Sequence, residues 1–371
     1  MVSLQEWHKE LSRRRRAFWE IAQRKECDLA LIYGSREHPE AFRYLTNFVP
    51  VLGDMWGILK GDEQMTCLLN FHWQLKEART YSGLEDWHGI FDPLPSLLDG
   101  LAEASPQRLA VFGMDRITFA AVEAIRKRFP GITLLETDGD FRVIRRRKSA
   151  LEIELLRQAV HLTEKALCSI REELRPGMLE TEVAARLNFL VFSEGADMAF
   201  PVTVMSGNED DSIIRLPLGR RIQEGESVMI DIGAMYEGYQ ADVSRTFVIG
   251  EAGPRQRHAW ETILRAYEAV LKLARPGTPC LVLHQTASQI LEEAGYPLKH
   301  RIGHGVGLAT SFEWPSLDSE ISVLESGMTL AIEPGVYEFG VGAMKLEDVL
   351  LITEEGCEVL SDSARNLTVG A

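Results

Sequence analysis

Two Arg-Pro-Gly turns lie 100 residues apart, at Arg175-Pro176-Gly177 and Arg275-Pro276-Gly277. Each follows a helix-patterned stretch of about 20 residues, one opening near Ser149 and the other near Arg255. Each is followed by a second helical stretch, residues 181–193 and then 281–294, which stops at Gly195 or Gly295. One Arg-Pro-Gly is only a helix stop, but two in register predict a duplicated α/β unit. A strand-rich stretch comes after each copy. Halves paired in this way place helices outside and a curved antiparallel sheet inside, an α+β architecture with a cleft between the halves.

The duplication leaves the first part of the 371 residues outside it, and a chain of this length needs more than one core. Residues 28–33 and 109–113 read as short apolar strands and residues 120–129 as a helix stopped by Pro130-Gly131, an alternation that predicts a smaller α/β domain. Ser149 and Glu152 have capping-box spacing at the head of a long helix running to about residue 174. The expected domains are therefore residues 1–144 and 145–371. At the N-terminus, Leu4, Trp7, Leu11 and Phe18 fall at helical spacing, which reads as an amphipathic helix and not a signal peptide. Its basic run, Arg13 to Arg16, reads as a solvated face.

Composition narrows the function classes. A net charge of −15 argues against a nucleic-acid partner, and no run of about 18 apolar residues is present to span a membrane. The five cysteines form no CxxC pair and read as reduced thiols of a cytoplasmic protein, none a convincing nucleophile.

The residues with chemical content sit in the strand-rich stretches. Asp231 lies inside the apolar run Val228-Met-Ile-Asp-Ile, and Asp242 lies on the return after the turn at Tyr236-Glu237-Gly238. A hairpin centred between Tyr236 and Glu237 would set the two aspartates opposite each other or one diagonal step apart, with Cβ atoms about 5 Å apart. Carboxylates that close repel unless a cation or proton lies between them. His304 stands between glycines in Gly303-His-Gly-Val-Gly307, Glu333 ends the strand Thr329-Leu-Ala-Ile before Pro334-Gly335, and Glu347 lies within Met344-Lys-Leu-Glu-Asp-Val. Singly, these are also readable as a turn acid, a structural histidine and edge-strand acids. Together, four carboxylates and an imidazole are a donor set suited to Mn²⁺, Co²⁺, Fe²⁺ or Zn²⁺. Two such ions about 3.5–4 Å apart can hold a bridging hydroxide and polarise a carbonyl.

The order and local context of these five residues resemble the metal-binding signature of the pita-bread metallopeptidase superfamily. The likeness extends to Arg145-x-x-Lys148-Ser-x-x-Glu152, to the two Arg-Pro-Gly turns and to Arg43-Tyr-Leu-Thr-Asn-Phe48, and so points to the creatinase/prolidase/aminopeptidase P branch. It implies a pita-bread catalytic domain behind a creatinase-like N-terminal domain, two divalent ions (Mn²⁺, Co²⁺ or Zn²⁺), a homodimer, and Xaa-Pro peptide hydrolysis. By the same resemblance Asp231 and Glu347 bind one or both metals, Asp242 bridges them, His304 binds one, and Glu333 is a ligand and general base.

The chain also departs from that pattern. Two histidines that usually line the substrate site are missing: the segment after Ser206-Gly-Asn208 runs to Arg215-Leu-Pro217 without one, and the position seven beyond His304 is Ser311. Lys345 stands where an arginine commonly sits, which removes a bidentate fork. Arg215, Tyr239, Ser311 and Lys345 are the residues expected to take over substrate binding. The departures keep open a hydrolase or lyase of a small metabolite on the same scaffold. A binding protein without turnover is the reading from another class, and retention of all five ligands counts against it.

Overall fold

The computed structural model describes residues 2–61, 64–199, 202–209, 211–308, 312–361 and 363–369. The chain divides into two compact units, Met1–Arg145 and Arg146–Ala371.

The first unit is built on a six-stranded mixed sheet. Strand Leu29–Ser35 lies inside it, antiparallel to Asp54–Leu59 and parallel to Arg108–Phe112. Its first helix, Leu4–Arg24, opens on a capping box between Ser3 and Glu6 and buries Trp7, Leu11 and Phe18 as their spacing predicts, while Leu4 in the first turn is exposed. Only half of the arginine run is the solvated face expected: Arg13 and Arg16 are exposed. Arg14 is fully buried and Arg15 nearly so. Their guanidinium groups donate to the carbonyls of Tyr44 and Leu45, which lie in the last turn of the helix Glu40–Thr46, where carbonyls lack an intrahelical partner. Glu10 supplies the countercharge, 2.9 Å from Arg14 and 2.6 Å from Arg13. Burial pushes its carboxyl up, but the two arginines outweigh this and hold it down to about 2.

The second unit shows the duplication directly. Helices Ala150–Glu173 and Glu180–Ser193 form one pair, Pro254–Leu273 and Cys280–Glu293 the other. Gly177 and Gly277 both adopt positive φ, 91° and 87°. Their N–H groups donate to Ile222 and Leu324 across equivalent loops. Each helix pair covers its own apolar core. The predicted capping box at Ser149 and Glu152 opens the first of these helices.

Each half contributes a sheet. One runs Thr368–Val369, Val243–Ile249, Ser227–Ile232, Thr203–Ser206; the other Glu313–Ser316, Gly303–Gly305, Thr329–Ile332, Asp348–Ile352, Cys357–Val359. They meet where Ser244 and Glu347 exchange backbone hydrogen bonds of 3.3 and 3.1 Å. That junction carries the candidate site.

Candidate metal centre and cleft

Asp231 enters from the strand Ser227–Ile232, whose residues are all buried. The chain reverses at Glu237-Gly238, both with positive φ, as a two-residue turn that follows the strand twist requires. The turn thus centres one residue later than expected, and Asp231 pairs with Ser244. Asp242, two positions before Ser244, is the diagonal neighbour of Asp231 on the same face. A Cβ at Gly233 would lie 1.8 Å from the Ala241 carbonyl oxygen, so the two strands approach this closely only because glycine is there. His304 lies on Gly303–Gly305, paired with Ala331. Glu333 directly follows the strand Thr329–Ile332, and Glu347 sits between Gly342–Lys345 and Asp348–Ile352.

The five predicted residues come together, each buried. His304 Nε2 is 3.6 Å from Asp242 Oδ2 and 3.7 Å from Glu333 Oε1. Asp242, His304 and Glu347 each offer a ligand atom, and all three atoms lie within 4.8 Å of one another. His304 Nδ1 is 2.9 Å from the Gly305 carbonyl. A carbonyl only accepts, so Nδ1 carries the proton and the Nε2 lone pair faces the acids, the tautomer a metal ligand needs.

Electrostatics set the site apart from an ordinary ion pair. Burial pushes Asp242 well up, and the charges of Glu347 and Asp231 add to it. Glu347 is also pushed well up, first by burial, against the pull of Lys345. Burial acts the same way on Glu333, but Lys345, His304 and His300 outweigh it and hold this carboxyl down. Asp231 Oδ1 and both carboxylate oxygens of Glu347 are buried without a hydrogen-bond partner, a costly arrangement for a carboxylate. Burial lowers His304. Clustered acids with orphaned oxygens, beside a neutral imidazole, fit divalent ions, which replace protons on such ligands.

Lys345 is the expected substrate-binding residue that lies at the centre. Its Nζ is 2.8 Å from Asp231 Oδ2, 2.8 Å from Glu347 Oε2 and 3.1 Å from Glu333 Oε2. The other expectations fall elsewhere. Arg215 makes a double contact with Glu180, at 2.7 and 2.9 Å, and the Tyr239 hydroxyl donates to Glu152 over 2.9 Å, fully buried. Neither lines the cleft. Ser311 lies outside the described residues.

The cleft has a volume of about 370 Å³. Asp231, Asp242, Glu333, His304 and Lys345 form its floor, with Glu347 fully buried behind them, and its walls include Ile213, Ile214, His300, Arg301, Phe312 and Tyr337. The Arg301 guanidinium lies 4.0 Å from the centre of the Phe312 ring. His300 Nδ1 is 2.5 Å from the Arg301 carbonyl and must donate to it, which leaves Nε2 to accept the Tyr337 hydroxyl over 2.9 Å. Behind the floor, Arg245 is buried and donates to the Glu347 carbonyl and to Asp348; Asp348 also takes Ser361 and Arg365. Sequence reading missed Arg301, His300, Tyr337, Arg245 and Asp348. The available signal was strand alternation: with Glu347 facing Asp242 and His304, Asp348 has to face the opposite side.

Residues 154–354 match the metallopeptidase family M24, and residues 14–146 match the creatinase/prolidase N-terminal domain. The chain is 36% identical to an Xaa-Pro dipeptidase of Pyrococcus furiosus over 232 residues, covering 62% of this chain and 66% of that enzyme, just under two thirds of its length. It is 33% identical to an Xaa-Pro dipeptidase of Pyrococcus horikoshii over 255 residues, 68% and 72% of the two chains. Among solved structures, the prolidase from Pyrococcus horikoshii OT3 superimposes with a TM-score of 0.87 at 26% identity, covering 96% of this chain and 99% of that one. The X-Pro aminopeptidase from Thermotoga maritima shares the fold with a TM-score of 0.87 at 24% identity, covering 96% and 99%. With the M24 match running through all five clustered residues, the chain belongs to the pita-bread metallopeptidases of family M24, in the creatinase/prolidase branch.

Proposed function

We propose that this protein is a metal-dependent Xaa-Pro peptidase acting on short peptides. The observation that carries the reading is the convergence, from distant parts of the chain, of Asp231, Asp242, His304 and Glu333 on the floor of one cleft, with a buried Glu347 oxygen within 4.8 Å of Asp242 and His304 behind it. The Xaa-Pro dipeptidases to which the chain is 33–36% identical give the substrate class.

Asp231, Asp242, His304, Glu333 and Glu347 would hold Mn²⁺, Co²⁺ or Zn²⁺. Bound there, divalent ions supply Lewis acidity, which polarises a scissile carbonyl and acidifies water. Glu333 Oε1, which faces His304 and not the ammonium, takes a proton from the attacking water and returns it to the departing amine nitrogen. Phe312, Ile213 and Ile214 give the cleft an apolar wall that suits a pyrrolidine ring. Arg301, whose guanidinium lies over the Phe312 ring, offers it to the carboxylate at the end of a dipeptide. A cleft of about 370 Å³ is at the small end of ligand sites and favours short substrates. We place the protein in the cytoplasm, as a homodimer, with residues 1–144 and 145–371 as its domains; no described helix is long and apolar enough to cross a membrane.

The second reading is a small-metabolite hydrolase on the same floor, favoured by the lack of histidine between Ser206 and Pro217. The test is hydrolysis of Ala-Pro, Gly-Pro, longer Xaa-Pro peptides and zwitterionic small molecules by protein reconstituted with Mn²⁺, Co²⁺ or Zn²⁺. Metal-stimulated cleavage of the proline dipeptides is expected, with at least about a thousandfold loss in Asp242→Ala. Turnover of a small metabolite alone would transfer the assignment to the second reading, and an active Asp242→Ala would refute the site.

A further inference from the structure

The metal-site reading leaves open how many ions the floor holds, and the inference about their number rests on that reading. The oxygens of the cage fall into two groups. Asp231 Oδ2, Glu347 Oε2 and Glu333 Oε2 surround Lys345 Nζ at 2.8, 2.8 and 3.1 Å. The ammonium donates to Asp231 and Glu333, and Glu347 Oε2 stands against the same nitrogen as an ion pair without a hydrogen bond. Asp242 Oδ2 and Glu333 Oε1 turn the other way, 3.6 and 3.7 Å from His304 Nε2, and a Glu347 oxygen joins Asp242 and His304 within 4.8 Å. Glu333 thus gives one oxygen to each group.

Charge alone does not select a stoichiometry. Four carboxylates with the ammonium and one divalent ion leave one negative charge; with two ions they leave one positive charge. Position selects. The ammonium stands against three of the four carboxylates of the cage, while on the side holding His304 no lysine or arginine lies within ion-pair distance of Asp242 among the described residues and the Arg301 guanidinium reaches Glu333 Oε1 only at 3.9 Å.

We propose that Lys345 is the resident cation of one half of the cage, so that the protein holds a single divalent ion tightly, at Asp242, His304, Glu333 and Glu347. A second ion enters only by moving the ammonium away from Asp231 and Glu347, and binds more weakly for that reason. Lysine suits the role because its charge is compact; a guanidinium spreads the same charge over a planar fork.

The test uses the full chain, stripped with a chelator and titrated with Mn²⁺ against a fluorescent competitor, with bound metal counted by mass spectrometry. Wild type is expected to take one equivalent tightly and a second at least tenfold more weakly. In Lys345→Met the gap between the two should close to within threefold, and Lys345→Gln gives the same comparison should the methionine variant fail to fold. Two equivalents of matching affinity in the wild type would overturn the inference while leaving the metal site intact. So would a tenfold gap that persists in a folded neutral variant. Failure of the wild type to bind any Mn²⁺ would overturn the metal reading itself and this inference with it.

Discussion

At the scale of single residues, the informative acids are those in the wrong surroundings. Asp231 stands in a wholly buried strand, where an unpartnered charge is costly, and that conflict is legible in the apolar run around it. Arg215 and Tyr239 stand out in the sequence only because they lie near motifs along the chain. Both are claimed by helix-borne carboxylates, Glu180 and Glu152, and such long-range pairing leaves no local pattern to read. Arg301 is hidden for the converse reason: its neighbour Phe312 comes to it through the fold, not through proximity in sequence. If Arg301 grips a substrate carboxylate, Arg301→Ala should raise KM for Xaa-Pro dipeptides about tenfold or more, since a charged hydrogen bond contributes about 1.5–3 kcal/mol. Peptides amidated at that carboxylate should show little change between variant and wild type. Equal KM shifts for free and amidated substrates would remove Arg301 from this role.

Among elements, the hairpin between Asp231 and Asp242 is the most exacting. Its existence and its turn can be read from Tyr236-Glu-Gly-Tyr239, but its register cannot be fixed to one residue, because Glu237 and Gly238 are both central to the turn. Gly233→Ala would drive a methyl group into the Ala241 carbonyl. The expected cost is about 1–3 kcal/mol of stability, together with weaker metal uptake because the two aspartates are forced apart; unchanged Mn²⁺ affinity would show that the spacing tolerates adjustment. The first helix carries a pH-dependent element. The Glu10 carboxyl is held at about 2, below its usual unfolded value of about 4.3, so its stabilisation is present above that value and disappears as pH falls toward 2. Glu10→Gln should lower stability by about 1–3 kcal/mol near neutral pH, and the difference from wild type should vanish near pH 2. Denaturant unfolding across that range reads it; a pH-independent difference would rule out the charge as its source.

For the whole molecule, the 100-residue repeat is the strongest guide to architecture, since the same turn recurs with the same backbone geometry at Gly177 and Gly277. How the two copies are stitched together is not legible in the sequence, because the bridge between Ser244 and Glu347 joins segments that share no sequence pattern. A Cβ at either glycine would meet no atom within 4 Å, so alanine there acts through backbone strain alone, about 1–2 kcal/mol. Gly177→Ala and Gly277→Ala should therefore lower Tm by similar amounts; a large disparity would mean the copies no longer carry equivalent loads.

The stitch at Ser244 and Glu347 has a consequence for assembly. Asp231 and Asp242 belong to one repeat, and His304, Glu333 and Glu347 to the other, so neither repeat alone owns a full coordination sphere. An ion bound at the seam works as a rivet, and its retention reports that the two repeats have closed on each other correctly. A chain that misaligns them by a single residue would lose its metal before it lost its helices.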